Sequence, residues 1–323
     1  MLLRNLRYLE ALAREQHFAR AAKACQVTQP TLSAGIKQLE EELGLLIVQR
    51  GQRFHGLTPE GLHVVEWSRR ILADVESLEQ EASELRAGLV GRLRIGAIPV
   101  ALPMVALLTA PFAARHPQVA ITVTSLSSIE IQRGLDDFTL DAGVTYLDNE
   151  PLSHVRTLPL YRERFHLFTP AGGPAGAGND AGWADTAGLP LCLLTPDMQN
   201  RRILNGLFAA HGVTPHATIE TNSVLTLWAH LRTGRWSSIL PHPFLYLLGV
   251  PEGLRALPLD RGEGHFTIGL VVPDREPMTP SARELLRVAG ELDVAAELDR
   301  KAGPAGKREA GRHAGGRSAP PAD

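Results

Sequence analysis

The stretch FARAAKACQVTQPTLSAGIKQLEEELG, residues 18–44, sets a series of hydrogen-bonding side chains around one helix start. Thr28, Gln29, Thr31, Ser33 and Lys37 offer hydroxyls, a carboxamide and a cation, with Pro30 among them and Arg50 and Arg53 further on. Such groups suit recognition by hydrogen bonding more than the making of bonds. The signatures of catalysis are missing: the sequence has no GxSxG elbow, no P-loop and no dinucleotide fingerprint. Its 12 histidines show no HExxH or other metal-ligand spacing, so no metal and no cofactor is expected.

The elements that hold these residues follow from apolar spacing. Leu2, Leu6, Leu9 and Ala13 recur as one face of a first helix. Phe18, Ala21, Ala22 and Cys25 follow the i, i+3, i+4, i+7 pattern of a short second one. Leu32, Ile36, Leu39 and Leu43 give a third, with only Gln26-Val27 before its start. Thr28 suits the N-cap, and Pro30 falls in the first turn, where its missing N–H costs nothing. Small Ala21 and Ala22 allow close approach, which completes the pattern of a helix-turn-helix. Residues 45–48, a turn at Gly51-Gln52-Arg53 and a return through Phe54 and Leu57 predict a two-stranded wing. Thr58-Pro59 then restarts a helix predicted to reach about Arg86, roughly 40 Å long. Its apolar positions Leu62, Val65, Leu72, Val75, Leu78, Ala82, Leu85 and Leu89 form a seam suited to a partner helix.

From Arg92 the texture changes to short strands alternating with helices. Strands are predicted at 93–98, 119–124, 141–146, 165–169, 191–194, 237–240 and 267–272. Helices are predicted at 102–115, 129–138, 199–211, 224–232 and 282–298. Such alternation argues for an α/β fold with parallel sheets covered by helices. Residues 171–188, rich in Gly and Ala, read as a loop, and the Gly-, Ala- and Pro-rich stretch 301–323 as a disordered tail.

Composition bounds the class. The 323 residues, 44% hydrophobic and 21% charged, describe a globular chain of two or three domains. A formal net charge of −2 gives no global attraction to a polyanion, so nucleic-acid contact must come from a local patch. No run approaches the roughly 18 apolar residues of a membrane span, so no membrane partner is expected. The charged first residues, MLLRNLRYLEALARE, lack an apolar h-region, and the two distant cysteines, Cys25 and Cys192, suit a reducing compartment. Both point to the cytoplasm and against a binding protein for export.

At this point a family can be named. The stretch 18–44, followed by VQRGQRFHGLTPEG, resembles the DNA-binding module of LysR-type bacterial transcriptional regulators, densely over residues 1–90 and more loosely over 91–298. The motif combines the Gln-Pro start, Leu39-Glu40 with Leu43-Gly44, Arg50, and Leu57-Thr58-Pro59-Glu60-Gly61. Cys25 stands where the family usually has Leu and reads as a core residue. The resemblance implies a winged helix-turn-helix over 1–58, a dimerising linker helix over 59–90, and a periplasmic-binding-protein-like effector domain over 91–300. That domain would consist of two Rossmann-like subdomains enclosing a cleft. It also implies a homo-oligomer, usually a dimer of dimers, whose partners are promoter DNA, a small-molecule effector and RNA polymerase.

On this reading a helix entering the major groove reads bases with its N-terminal residues. Gln29 can bond adenine, and Pro30 and Thr31 can touch a thymine methyl. Thr28 and Ser33 can bond phosphate, Lys37 a base edge or the backbone, and Arg50 and Arg53 the backbone or minor groove. Local charge agrees: residues 1–57 carry eight basic against five acidic side chains, net +3, whereas 58–87 carry three against seven, net −4.

The effector contacts implied by the resemblance lie where strands end and helices begin. They are Pro99 and Val100, Ser127 and Ser128, Tyr146, Thr195, and Asn222 with Ser223. Val100 stands where relatives often place Thr or Ser. Arg201 and Arg202 read as a solvated helix face. The polar groups suggest a small anion or organic acid, such as formate or another one-carbon acid. Peroxide sensing would need two cysteines close together in the effector domain, and Cys192 is alone there. The alternatives are a DNA-binding protein with a degenerate sensor and, further off, an enzyme on the α/β half.

Overall fold

The apolar faces read from the sequence draw three short helices together. A computed structural model describes residues 2–49, 54–173, 175, 178–259 and 266–301. Helices α1 (Leu3–Glu15), α2 (Phe18–Ala24) and α3 (Gln29–Leu43) form the head, and the long α4 (Pro59–Ala87) follows. One core cluster joins Tyr8, Leu12, Ala21, Ala22, Leu32 and Ile36, with Cys25 and Phe54 packed against it. A second joins Leu6, Leu9, Leu39 and Ile47 to Val65 of α4, with Leu72 packed against it. Leu72 therefore serves the head's own core and not the seam expected for a partner helix. Gly35 and Gly61 are required by close approach: a Cβ would lie 2.7 Å from the Tyr8 ring at the first and 2.2 Å from the Ile47 carbonyl oxygen at the second.

The predicted wing is reduced among the described residues to one antiparallel bridge, Val48 to Leu57. Arg50, Arg53 and the turn between them lie outside the described residues.

The chain divides into two compact units. Of the described residues, the first comprises those within 2–98, 105–159 and 269–292, and the second those within 99–104, 160–268 and 293–301. A five-stranded sheet of order β2-β1-β3-β10-β4 contains β1 (Gly91–Ala97), β2 (Val119–Ser125), β3 (Ala142–Tyr146), β4 (Val155–Glu163) and β10 (Phe266–Pro273). Strand β1 pairs in parallel with β2 and with β3. Within the first unit, α5 (Leu102–Arg115) from Val105 onward, α6 (Ser128–Asp136) and α10 (Pro280–Gly290) accompany these strands. Polar ties fasten α4 to the same unit. Arg94 donates to both carboxylate oxygens of Asp141 at 2.9 and 3.0 Å and lies 3.5 Å from Glu76, and Ser281 donates to Gln80 at 3.1 Å.

The second unit holds two smaller sheets. Strand β5 (Phe165–Pro170) lies between β8 (Ser238–Pro241) and β9 (Leu254–Pro258), antiparallel to both, where parallel pairing was expected. Strands β6 (Leu191–Leu194) and β7 (Ala217–Thr221) pair in parallel. Helices α7 (Gln199–Ala210), α8 (Val224–Leu231), α9 (Pro243–Leu248) and α11 (Val294–Lys301) complete it. The helix expected over 282–298 is two helices, because Asp293 breaks the run and accepts from Ala296 N–H at 2.9 Å to cap α11. The loop 171–188 contains a short 3-10 turn, Trp183–Thr186. Lys301 closes α11 and does not begin the tail, while 302–323 lie outside the described residues.

A buried histidine, His242, and a half-buried one, His166, make the second unit sensitive to acid. Burial lowers the His166 pKa from 6.5 to about 4. Burial, aided by the Arg164 charge, lowers that of His242 from 6.5 to about 3. Both stay neutral in the folded chain, so below pH 6.5 the unfolded chain binds protons the folded one refuses. Stability then falls with pH by roughly 1.4 kcal/mol per pH unit for each histidine, down to the folded values. Acid titration by circular dichroism should show this loss between about pH 6.5 and 4, and the His166→Gln/His242→Asn double variant should flatten it. An unchanged acid limb in that variant would assign the loss to other groups.

Candidate functional site

The start of α3 is built by its own side chains. Thr28 precedes the helix in an extended conformation, and its Oγ1 accepts from Thr31 N–H at 3.3 Å and lies 2.8 Å from Thr31 Oγ1. The turn before it depends on Gln26, whose φ of 56° lets the chain reverse within two residues. Val27 N–H closes that turn on the Ala22 carbonyl at 3.0 Å. Gln29, Pro30, Thr31 and Lys37 are exposed and Ser33 is half-buried. Lys37 pairs with Glu41 at 3.5 Å, but both side chains are largely in water, so the pair holds little and leaves the ammonium available. The polar N-terminal turn thus faces solvent while Leu32, Ile36 and Leu39 anchor the other side.

The loop after α3 is fixed with equal economy. Glu40 Oε1 accepts from the N–H groups of Ile47 and Val48 at 2.7 and 3.0 Å. Thr58 donates to Leu46 O at 2.6 Å and accepts from Gly61 N–H at 2.9 Å.

In the first unit, Ser127 is consumed by a capping box. Glu130 Oε2 accepts from Ser127 N–H and from its hydroxyl, both at 2.8 Å. Its neighbour Ser128 is buried, and its Oγ has no hydrogen-bond partner. Thr145, which the sequence reading passed over as an ordinary strand residue, is wholly buried with its hydroxyl likewise unpartnered. Tyr146 is buried beside it.

In the second unit, Pro99 and Val100 are buried. Thr195 N–H bonds Thr221 O at 3.0 Å, while its buried Oγ1 has no partner. Ser223 caps α8 by accepting from Thr226 N–H at 3.4 Å, and Asn222 is exposed. Arg201 departs from the expected solvated face. It is buried, donating to Leu194 O and Glu220 at 2.7 Å each and to Asn205 at 2.9 Å. Its charge partner lies in another element, out of reach of a reading by helical spacing. Gln199, within the stretch 195–200 that the family resemblance implies for the cleft, is only 2% exposed, and neither its Nε2 nor its Oε1 has a partner. Among the described residues no group of three or more His, Cys, Asp or Glu could hold a metal ion.

Residues 3–62 match the model for the bacterial regulatory helix-turn-helix protein of the lysR family, and residues 86–293 match the LysR substrate binding domain. This chain belongs to the LysR family. It is a DNA-binding, effector-responsive transcriptional regulator rather than an enzyme. It is 30% identical to the DNA-binding transcriptional dual regulator OxyR of Escherichia coli strain K12, over 88% of this chain and 93% of that one. It also resembles hydrogen peroxide-inducible genes activators, such as that of Dickeya chrysanthemi, 29% identical over 86% of this chain and 91% of the relative. Among solved structures, a full-length OxyR from Pseudomonas aeruginosa carrying a cysteine-to-aspartate substitution superposes with a TM-score of 0.72 at 27% identity, covering 93% of this chain and 97% of that one. CbnR in complex with its target DNA gives 0.65 at 21% identity, covering 90% and 99%, and shares the fold.

The thiols of this LysR-family chain are poorly placed for peroxide chemistry. Cys192 is wholly buried on β6, and burial raises its pKa to about 11, leaving about one thiolate in a thousand at pH 8. Burial also raises the pKa of Cys25, which lies in the head. A maleimide at pH 8 should therefore spare Cys192 in the native protein and label it after denaturation. Rapid native labelling of Cys192 would contradict its burial.

Proposed function

We propose that this LysR-family regulator reads its operator with the first turns of α3, and that its effector domain reports a small molecule that does not act through a disulfide. Support for the first part is the exposed Gln29-Pro30-Thr31 turn, capped by Thr28 and anchored by two core clusters. Gln29 offers a paired donor and acceptor to a base edge, Pro30 and the Thr31 methyl an apolar surface, and Thr28, Ser33 and Lys37 contacts to phosphate or base. Arg50 and Arg53 are assigned to backbone or minor-groove contact on charge and position alone. Gln29→Ala should weaken operator binding by about 1–3 kcal/mol while leaving random DNA nearly unaffected. Arg53→Ala should weaken both and lower the salt slope by about one. Equal losses on operator and random DNA in both variants would remove Gln29 from base readout.

Support for the second part is the set of buried hydroxyl and amide atoms without partners: Ser128 and Thr145 in the first unit, Thr195 and Gln199 in the second. Within the first unit Tyr146 is assigned as a neighbour of these groups, with Ser127 as a cap; within the second, Pro99, Val100, Asn222 and Ser223 are so assigned.

The same reading makes the working form a homo-oligomer in the cytoplasm, a dimer of dimers that meets RNA polymerase at a promoter. On α4, Trp67, Leu78 and Leu85 are 62%, 68% and 82% exposed and share one helix face, an apolar series suited to a second copy of the helix. Leu78→Glu should give monomers in sedimentation that hold half-sites weakly. A stable dimer in that variant would move the interface off α4.

A further inference from the structure

Gln199 is the first residue of α7, and its side chain raises a question of chemistry. A carboxamide carries a donor and an acceptor side by side, and in native proteins nearly every such buried group finds partners. Here the residue is 2% exposed and both atoms are without a hydrogen bond. Thr195 sits one turn before it, its carbonyl accepting from Met198 N–H at 3.0 Å and its buried hydroxyl unpartnered. The first turn of α7 receives no side-chain cap, since Met198 occupies the cap position.

The cations nearby are already engaged. Arg201 is held by Leu194 O, Glu220 and Asn205, and Arg202 donates to the Asp197 carbonyl at 2.6 Å. An uncapped helix start alone would accept any anion. Gln199 Oε1 changes that preference, because it needs a donor from the same ligand. A carboxylate could accept from Nε2, but its second oxygen would then face Oε1, acceptor against acceptor. A ligand edge with a carbonyl beside an N–H pairs with both atoms, as the same side chain does with an adenine edge.

We propose that the effector is an uncharged molecule with an amide-like edge, a primary amide, imide or pyrimidine, which pairs with Gln199 and Thr195 at the start of α7. This departs from the organic acid expected from the sequence, and it rests on the effector-binding reading of residues 86–293. It concerns the class of ligand, so it can fail while that reading stands.

The test uses the full-length protein and matched pairs that differ in the one group: nicotinamide and nicotinate, benzamide and benzoate, glutarimide and glutarate, with uracil added. Thermal shift and calorimetry are run on wild type, Gln199→Leu and Thr195→Val. At least one amide, imide or pyrimidine should raise the melting temperature while its acid counterpart does not. Gln199→Leu should weaken that binding about tenfold or more, yet melt without ligand at or above the wild-type temperature, since it removes a buried group lacking partners. Thr195→Val should weaken the same ligand. Binding of the acids alone, or amide binding that Gln199→Leu leaves intact, overturns the proposal and leaves an effector-binding domain in place. No shift with any member overturns the proposal and tells against the effector reading as well.

Discussion

An α-helix leaves its first N–H groups without partners inside the helix, and the residues proposed here for recognition stand where that constraint acts. At α3 and α4 the need is met by Thr28 and Thr58, at α6 by Ser127 and at α8 by Ser223. Each cap also fixes the direction in which the chain enters the helix. For α3 that direction sets which residues face solvent, and the two core clusters fix the rest. α7, like α1 and α9, has no side-chain cap, and what sets its start apart is the buried, unpartnered carboxamide of Gln199.

Much of this was legible because it is local. The helix-turn-helix depends on spacing, a cap and a proline within a dozen or so neighbouring residues, all of which the sequence displays. What escaped depends on distant partners. Arg201 looks like a surface residue until Glu220 and the carbonyl of Leu194 come to it from other elements. Thr145 lies in an apolar strand, AGVTY, where a β-branched residue is ordinary, and only its burial reveals an unpartnered hydroxyl. Strand β4 contains Pro159, which argues against a strand except at an edge, and β4 is indeed last in its sheet. Leu72 lies roughly 120–140° around α4 from Leu78 and Leu85 at 3.6 residues per turn, on a side that packs against the core of the head.

Relatives named for peroxide induction share the fold and about three residues in ten with this chain. Their names do not carry their chemistry here. The effector domain has one cysteine, buried in an apolar strand with a thiol that resists ionisation, so signalling through a disulfide within that domain has no second sulfur to use. The unpartnered atoms at Ser128, Thr145, Thr195 and Gln199 are hydroxyls and an amide, groups that recognise rather than react.

The central claim is that DNA is read at the start of α3. Hydrogen–deuterium exchange of the full-length protein, with and without operator DNA, tests it most directly. Binding should slow exchange across residues 28–37 and leave the buried amides of α1 unchanged. Unaltered exchange over 28–37, with protection appearing on another surface of the head, would contradict the account.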